Sequence, residues 1–307
     1  LKSKSVTAGY WALVITSFFW GTTWVASKMG VEEMPGLQIA CLRQFIAGSI
    51  FVLYYLLFKK FSLPNRKQFK YLILMGLLVF VIANSVSTWS LQYIPGGLGA
   101  LIGALYPLSV VMIEKFFFSK KNISPLTYLG FGLGVLGIAI VFYDHLMSIN
   151  FIHFTIGLSM SIVAMISWSF GTVLIARNDS GLDPYYSMGW QMLISSVIVS
   201  VLGYSLQPMV PLDQISLKGW LILGYLIIIG SIISFIAFLY SMKVLPHAIA
   251  SLFAYINPLV AIFLGAWILD EKLTMQIFWG SLVTIAGVYL VNYSTKHMDR
   301  VITEPEI

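Results

Sequence analysis

Charge and cysteine are what this sequence has least of. Asp, Glu, Lys and Arg together make up 10% of its 307 residues, where an average soluble domain carries roughly 25%. So few charges cannot clothe a soluble surface, and the 59% of hydrophobic residues is more than one soluble core can hide. The single cysteine, Cys41, lies in an apolar run, which excludes a disulfide within the chain and a cysteine metal cluster. A Gly-rich, Lys-containing phosphate loop is also missing, so transport driven by the chain's own ATP hydrolysis has no machinery. The four histidines, His145, His153, His247 and His297, fall in loops or at the ends of apolar runs. A nucleophile-base pair or metal cluster at one depth therefore does not assemble, which speaks against a membrane-embedded enzyme. His145 and His153 with Asp144 are a weak zinc signal, and neither a metal nor any other cofactor is expected. The net charge of +6 is dispersed through short gaps, not gathered into the continuous basic surface that nucleic acid requires.

What is present is a series of long apolar runs. A bilayer core of about 30 Å takes about 20 apolar residues per helix. Ten runs fit, at 10–28, 38–58, 70–92, 96–118, 125–143, 155–176, 186–206, 219–242, 246–268 and 275–293. The first lacks a small-residue cleavage site and is expected to remain as a span. The runs lack the alternation of a membrane barrel, and helices satisfy their own backbone hydrogen bonds in hydrocarbon, so the fold class is an all-α, multi-pass membrane protein in contact with lipid. The loops are too short for a receptor or scaffold with sizeable extramembrane parts. With the N-terminus inside, inner segments hold 14 Lys and Arg, among them Lys59, Lys60, Arg66, Lys67, Lys70, Lys120 and Lys121, and outer loops hold only Lys28, Lys218 and Lys272. Both termini are then cytoplasmic.

The chain also repeats itself. Tyr93-Ile94-Pro95 and Tyr106-Pro107 correspond to Val244-Leu245-Pro246 and Asn257-Pro258 at an offset of 151; Gly130 and Gly137 correspond to Gly280 and Gly287 at 150. Trp20 falls on Trp168 at 148, and Pro35 on Pro184 at 149. Residues 1–148 and 149–307 thus read as two five-helix repeats forming one transport domain. An odd number of spans per repeat makes the second enter the membrane from the opposite side. Inverted repeats of this kind are the architecture of many secondary transporters, with substrate held near mid-membrane between the halves.

These residues resemble the EamA-type transporters of the drug/metabolite transporter superfamily over nearly the whole chain. The carriers are Trp20-Gly21, Pro35 with Arg43, Tyr93-Ile94-Pro95, Tyr106-Pro107, Trp168, Leu245-Pro246, Asn257-Pro258 and the turn Asp270-Glu271-Lys272-Leu273-Thr274. In the first repeat that turn reads Ser119-Lys120-Lys121-Asn122-Ile123-Ser124 and lacks the Glu, and Met192 replaces Arg43 in the second. The resemblance implies a ten-helix plasma-membrane (inner-membrane) carrier exporting small metabolites, often amino acids or related compounds, by alternating access and with no prosthetic group.

Candidate substrate-binding residues are Trp20, Trp24, Arg43, Asn84, Tyr106, Trp168 and Asn257, with Ser87, Trp89, Thr22 and Thr23 as weaker choices. Arg43, inside the second run, either faces a cavity and meets an anionic or zwitterionic substrate or turns outward to Glu32 or Glu33. Pro107 and Pro258 are read as matched helix breaks or hinges. The three tryptophans lie mid-membrane, not at the interface where anchoring tryptophan belongs, and either line a cavity or pack between helices. Glu114 is a coupling carboxylate if buried and a solvated end residue if not. Gly130, Gly134 and Gly137, with Gly280 and Gly287, allow close helix approach within a monomer or across a homodimer.

Overall fold

The computed structural model describes residues 2–118, 124–143, 151–177 and 180–303, and among these it contains helices and no strand. Lys120, Lys121, Asp144 and His145 lie outside the described residues, as does most of the first-repeat turn beginning at Ser119. The side chains of Lys2, Lys4, His247, Lys296, His297 and Arg300 do too.

Among the described residues, the longer helical stretches follow one another along the chain. They are α1 (Lys2–Glu33), α2 (Gly36–Leu57), α3 (Arg66–Ser90), α4 (Gly96–Phe118), α5 (Pro125–Tyr143), α6 (Phe151–Arg177), α7 (Pro184–Leu206), α8 (Leu217–Val244), α9 (Phe253–Leu269) and α10 (Met275–Thr303). Among the described residues, eight helices are long and apolar enough to cross a membrane: α2 to α8 and residues Met275–Ser294 of α10. The expected first span corresponds to α1, 32 residues long, and the ninth to α9, a shorter apolar helix of 17 residues.

Local chemistry sets the helix starts. Asn65 accepts from the Gln68 amide at 2.9 Å while the Gln68 side chain accepts from the Asn65 amide, a reciprocal cap at the start of α3. The Asp183 carboxylate accepts from the Tyr185 amide at 2.9 Å, with Pro184 opening α7. Ser216 caps α8 by accepting from the Gly219 amide.

Three departures from regular helix follow. In α4 the run expected to be continuous is interrupted at Ala104 and Leu105, and Tyr106 begins a new helical segment. Pro107 sits in its first turn, where a missing N–H leaves no intrahelical bond unmade. Pro258 lies inside α9, whose interruption comes earlier, between the one-turn helix His247–Ala250 and Phe253. The two prolines therefore do not mark matched breaks, because only one of them starts a helix. In addition, α3 and α8 each contain a π-helical stretch, Gly76–Ser85 and Leu226–Ile233, whose first residues are 150 positions apart. Ser85 and Ser234 each donate to a carbonyl five residues back, Phe80 and Ile229 respectively.

Helix contacts come in reciprocal sets. α1 packs on α9 and on α8, while α6 packs on α4 and on α3. α2 lies on the π-helical stretch of α8, and α7 on that of α3. α2 also packs along α7, and α5 along α10. The α5–α10 contact is backbone to backbone: a Cβ on Gly130 would lie 2.7 Å from the Gly287 carbonyl oxygen, and one on Gly137 2.5 Å from that of Gly280. The small residues thus serve close packing within one chain.

Candidate functional site

Trp20 is the centre of the arrangement. Its ring meets Phe238 at 4.9 Å, Phe235 at 5.1 Å, Phe253 at 5.5 Å and Trp168 at 6.4 Å between centroids. Its indole N–H donates to the Gly230 carbonyl at 3.3 Å, within the π-helical stretch of α8. The contacts with Phe235, Phe253 and Trp168 are edge-to-face, which suits the quadrupoles of the rings, and the indole donor in an apolar setting has found an acceptor. Tyr106, 6.3 Å from Phe253, and the apolar side chains of Leu13, Leu245 and Ala254 extend the cluster toward the end of the bundle that holds the α8–α9 connection.

On the opposite side of this cluster lies a cavity of about 180 Å³. Seven residues singled out from the sequence, Trp20, Trp24, Arg43, Asn84, Tyr106, Trp168 and Asn257, all line it. So do Ser87 and Thr23, whereas Trp89 and Thr22 do not. Thr22 instead shares a 2.5 Å hydrogen bond with the Tyr225 hydroxyl. Along α1 the lining runs from Trp20 to Ser27, and along α3 from Ala83 to Leu91, so the cavity occupies the half of the bundle toward the α1–α2 connection.

Each wall is shaped by its sequence. Trp24 fits a slot made by glycines of α4: a Cβ on Gly99 would lie 2.8 Å from its ring, and one on Gly103 3.3 Å away. The carbonyls of Ser17 and Phe253 face the Asn257 amide group, so the orientation that satisfies it has the nitrogen donating to both, at 2.5 and 3.2 Å, and leaves its oxygen as the acceptor. Asn84 accepts from the Gln44 amide at 3.2 Å, in a network that continues through Ser85 and Ser195.

Arg43 is 6% exposed. Its Nε donates to Ser231 Oγ at 2.5 Å, and its Nη2 faces the bare α-carbon of Gly230. Of the two alternatives for Arg43, the outward turn to Glu32 or Glu33 does not occur: the Glu33 carboxylate accepts from Ser216 at 2.6 Å and pairs with Lys218 at 2.9 Å at the start of α8. Among the described residues, no carboxylate pairs with Arg43. Glu114, by contrast, is not buried. It is half-exposed in the π-helical end of α4, 3.2 Å from Arg177, and does not line the cavity. His153 stacks on Tyr93 at 6.1 Å, and no metal-binding cluster occurs among the described residues.

The profile of the EamA-like transporter family matches residues 7–143 and 155–293. The chain belongs to the EamA-like transporter family. It is 31% identical to the inner membrane transporter YedA of Escherichia coli (strain K12) over 288 residues, covering 91% of this chain and 89% of that one. It is 28% identical to the transporter sll0355 of Synechocystis sp. (strain ATCC 27184 / PCC 6803 / Kazusa), with 91% and 88% covered. A solved crystal structure shares the fold at a TM-score of 0.60 and 15% identity, covering 95% of this chain and 98% of that one. This EamA-family chain is accordingly a multi-pass membrane transporter.

The family's acidic turn after α9 also finds its place here. The Glu271 carboxylate accepts from the Gly96 amide at 2.7 Å and the Gly97 amide at 3.3 Å, fixing the start of α4 from the far half of the chain. Gly265 leaves room for it, since a Cβ there would lie 2.6 Å from Glu271 Oε2. Asp270, left-handed at φ 53°, ends α9. A larger cavity of about 480 Å³ beside this turn is walled by Pro95, Leu98, Ile262 and Lys272, and its carboxylate is already committed to the α4 amides. Ser231, Gly230, Phe235 and Phe253 escape sequence reasoning because isolated Ser, Gly and Phe in apolar helices give no signal. The Gly96, Gly99 and Gly103 spacing is the one pattern that marks the Trp24 slot.

Proposed function

We propose that the protein is a secondary transporter that moves small metabolites, amino acids or related compounds, outward across the plasma membrane. It works by alternating access between two inverted five-helix repeats, with both termini in the cytoplasm. The reading rests on one observation: a single central cavity is walled by both halves of the chain, Trp24, Arg43 and Asn84 from one and Trp168, Phe235 and Asn257 from the other. The two profile matches, the reciprocal helix contacts and the paired π-helical stretches support the repeat. Under this topology the aromatic cluster around Trp20 is the closed inner end, and the cavity belongs to an outward-facing state. Binding near mid-membrane where the halves meet lets a small rocking of one against the other switch the open side.

The test is uptake and efflux of radiolabelled amino acids and other small metabolites in proteoliposomes, with and without an imposed proton gradient. Saturable flux that falls in Asn257→Ala or Trp20→Ala, in variants that still fold, is the expected result. An absence of flux for the whole panel from folded protein would overturn the reading and return attention to an enzymatic or scaffold role.

A further inference from the structure

Arg43 is a buried cation, and among the described residues no carboxylate balances its charge. Its Nε is committed to Ser231, and neither Nη nitrogen has a hydrogen-bond partner among the described residues. A guanidinium inside a bilayer is costly, and one without a counter-charge keeps that cost until an anion arrives. The side chain is held, not adrift. Ser231 fixes one edge of the guanidinium, Gly230 gives it clearance, and the Gly230 carbonyl is occupied by the Trp20 indole and so does not compete for it. Arg43 lines the cavity with its Nη nitrogens uncommitted among the described residues, and a guanidinium fork of this kind suits a two-oxygen anion.

The rest of the wall defines the charge of the occupant. Among the residues lining the cavity, Arg43 is the one that carries a charge, and no carboxylate stands opposite it. The remainder is aromatic, aliphatic, or neutral and polar. One guanidinium balances one negative charge, so a doubly charged phosphate would enter with a charge to spare. A zwitterion would bring an ammonium that faces no anion, with the Asn257 oxygen as a neutral acceptor only.

Resting on the carrier reading above, we propose that the substrate binds as a net monoanion. The class is a small carboxylate with an apolar or aromatic body and no charged amino group, such as a deaminated or N-acylated relative of an amino acid. The carboxylate lies against the Nη edge of Arg43 and the apolar body against Trp24 and Trp168.

Three probes with one ring system separate the alternatives: 3-phenylpropanoate, its neutral amide 3-phenylpropanamide, and zwitterionic phenylalanine. Binding to the full-length protein in detergent is read from the fluorescence of the cavity tryptophans, and flux is measured separately in proteoliposomes. The expected result is binding of the carboxylate at least ~10-fold tighter than either other probe, from the strength of a charge-assisted pair. Arg43→Gln should bring the carboxylate down to the level of the amide while the amide still binds, which shows that the variant is folded. Arg43→Lys keeps the charge and should retain part of the preference. Equal binding of carboxylate and amide, tighter binding of phenylalanine, no carboxylate binding, or a preference that survives Arg43→Gln would each overturn the proposal. Preferential binding without flux would uphold the anion site and overturn the carrier reading; flux of phenylalanine or the amide without carboxylate preference would do the reverse.

Discussion

Trp20 and Trp168, 148 positions apart in the chain, meet edge to face with their centroids 6.4 Å apart at the floor of the central cavity. Each comes from one of the two family-matched stretches, so this contact joins the two matched stretches at the central cavity. Trp20→Phe keeps a ring but removes the donor to the Gly230 carbonyl. It should cost about 1 kcal/mol, the net value of one hydrogen bond. Trp20→Ala empties a site ringed by four aromatic side chains and should cost about 3–5 kcal/mol. Unfolding midpoints of the two variants in detergent check the order.

Glu114→Gln removes a half-exposed ion pair with Arg177 away from the cavity. Its effect on stability should stay below about 1 kcal/mol. The dependence of flux on an imposed proton gradient should be that of the unaltered protein. A flattened pH profile would return Glu114 to the list of coupling groups.

Gly137→Val places a side chain where the Gly280 carbonyl oxygen lies 2.5 Å from the first carbon and the Thr284 nitrogen 2.6 Å. Both atoms belong to the α10 backbone, which cannot move aside as a flexible side chain would. The α5–α10 pair should be pushed apart at a cost of about 3 kcal/mol or more. Gly132→Val on the same helix meets nothing within 4 Å and should be nearly neutral. Comparing their yields of folded monomer by size exclusion tests the difference.

Glu271→Gln keeps the size of the side chain but removes the charge that caps Gly96 and Gly97. A loss of about 0.5–2 kcal/mol is expected, the range for a helix cap. Glu271→Ala should lose more than Glu271→Gln, whose amide oxygen can still accept. Hydrogen exchange at Gly96 and Gly97 should quicken in both.

The positions of the helices are legible in the sequence because hydrocarbon imposes a length and an apolarity that few residues can evade. The cavity residues are legible for a related reason. Arg43, Asn84, Asn257 and mid-membrane tryptophans are conspicuous where Leu and Ile are the cheap choice. What the sequence leaves open is tertiary. Whether Arg43 turns to Glu33 or inward depends on Lys218 and Ser216, which claim Glu33 from almost two hundred residues away. Pro107 and Pro258 look alike as letters, yet one begins a helical segment and the other lies within one. Glu114 is at the bundle edge because α4 ends there, a boundary that apolar Phe116 and Phe117 conceal by being exposed on its outer surface.

The π-helical stretches of α3 and α8 carry a consequence for ancestry. A π turn closes its hydrogen bond over one residue more than an α turn, which is what a single inserted residue produces in an existing helix. Both stretches begin at positions 150 apart and both end beside a serine bonded five residues back. Under the duplication proposed above, a single insertion into a five-helix unit before the copy was made would account for both. Such a unit, with no second half in its own chain, would have had to find its inverted partner in another molecule of itself.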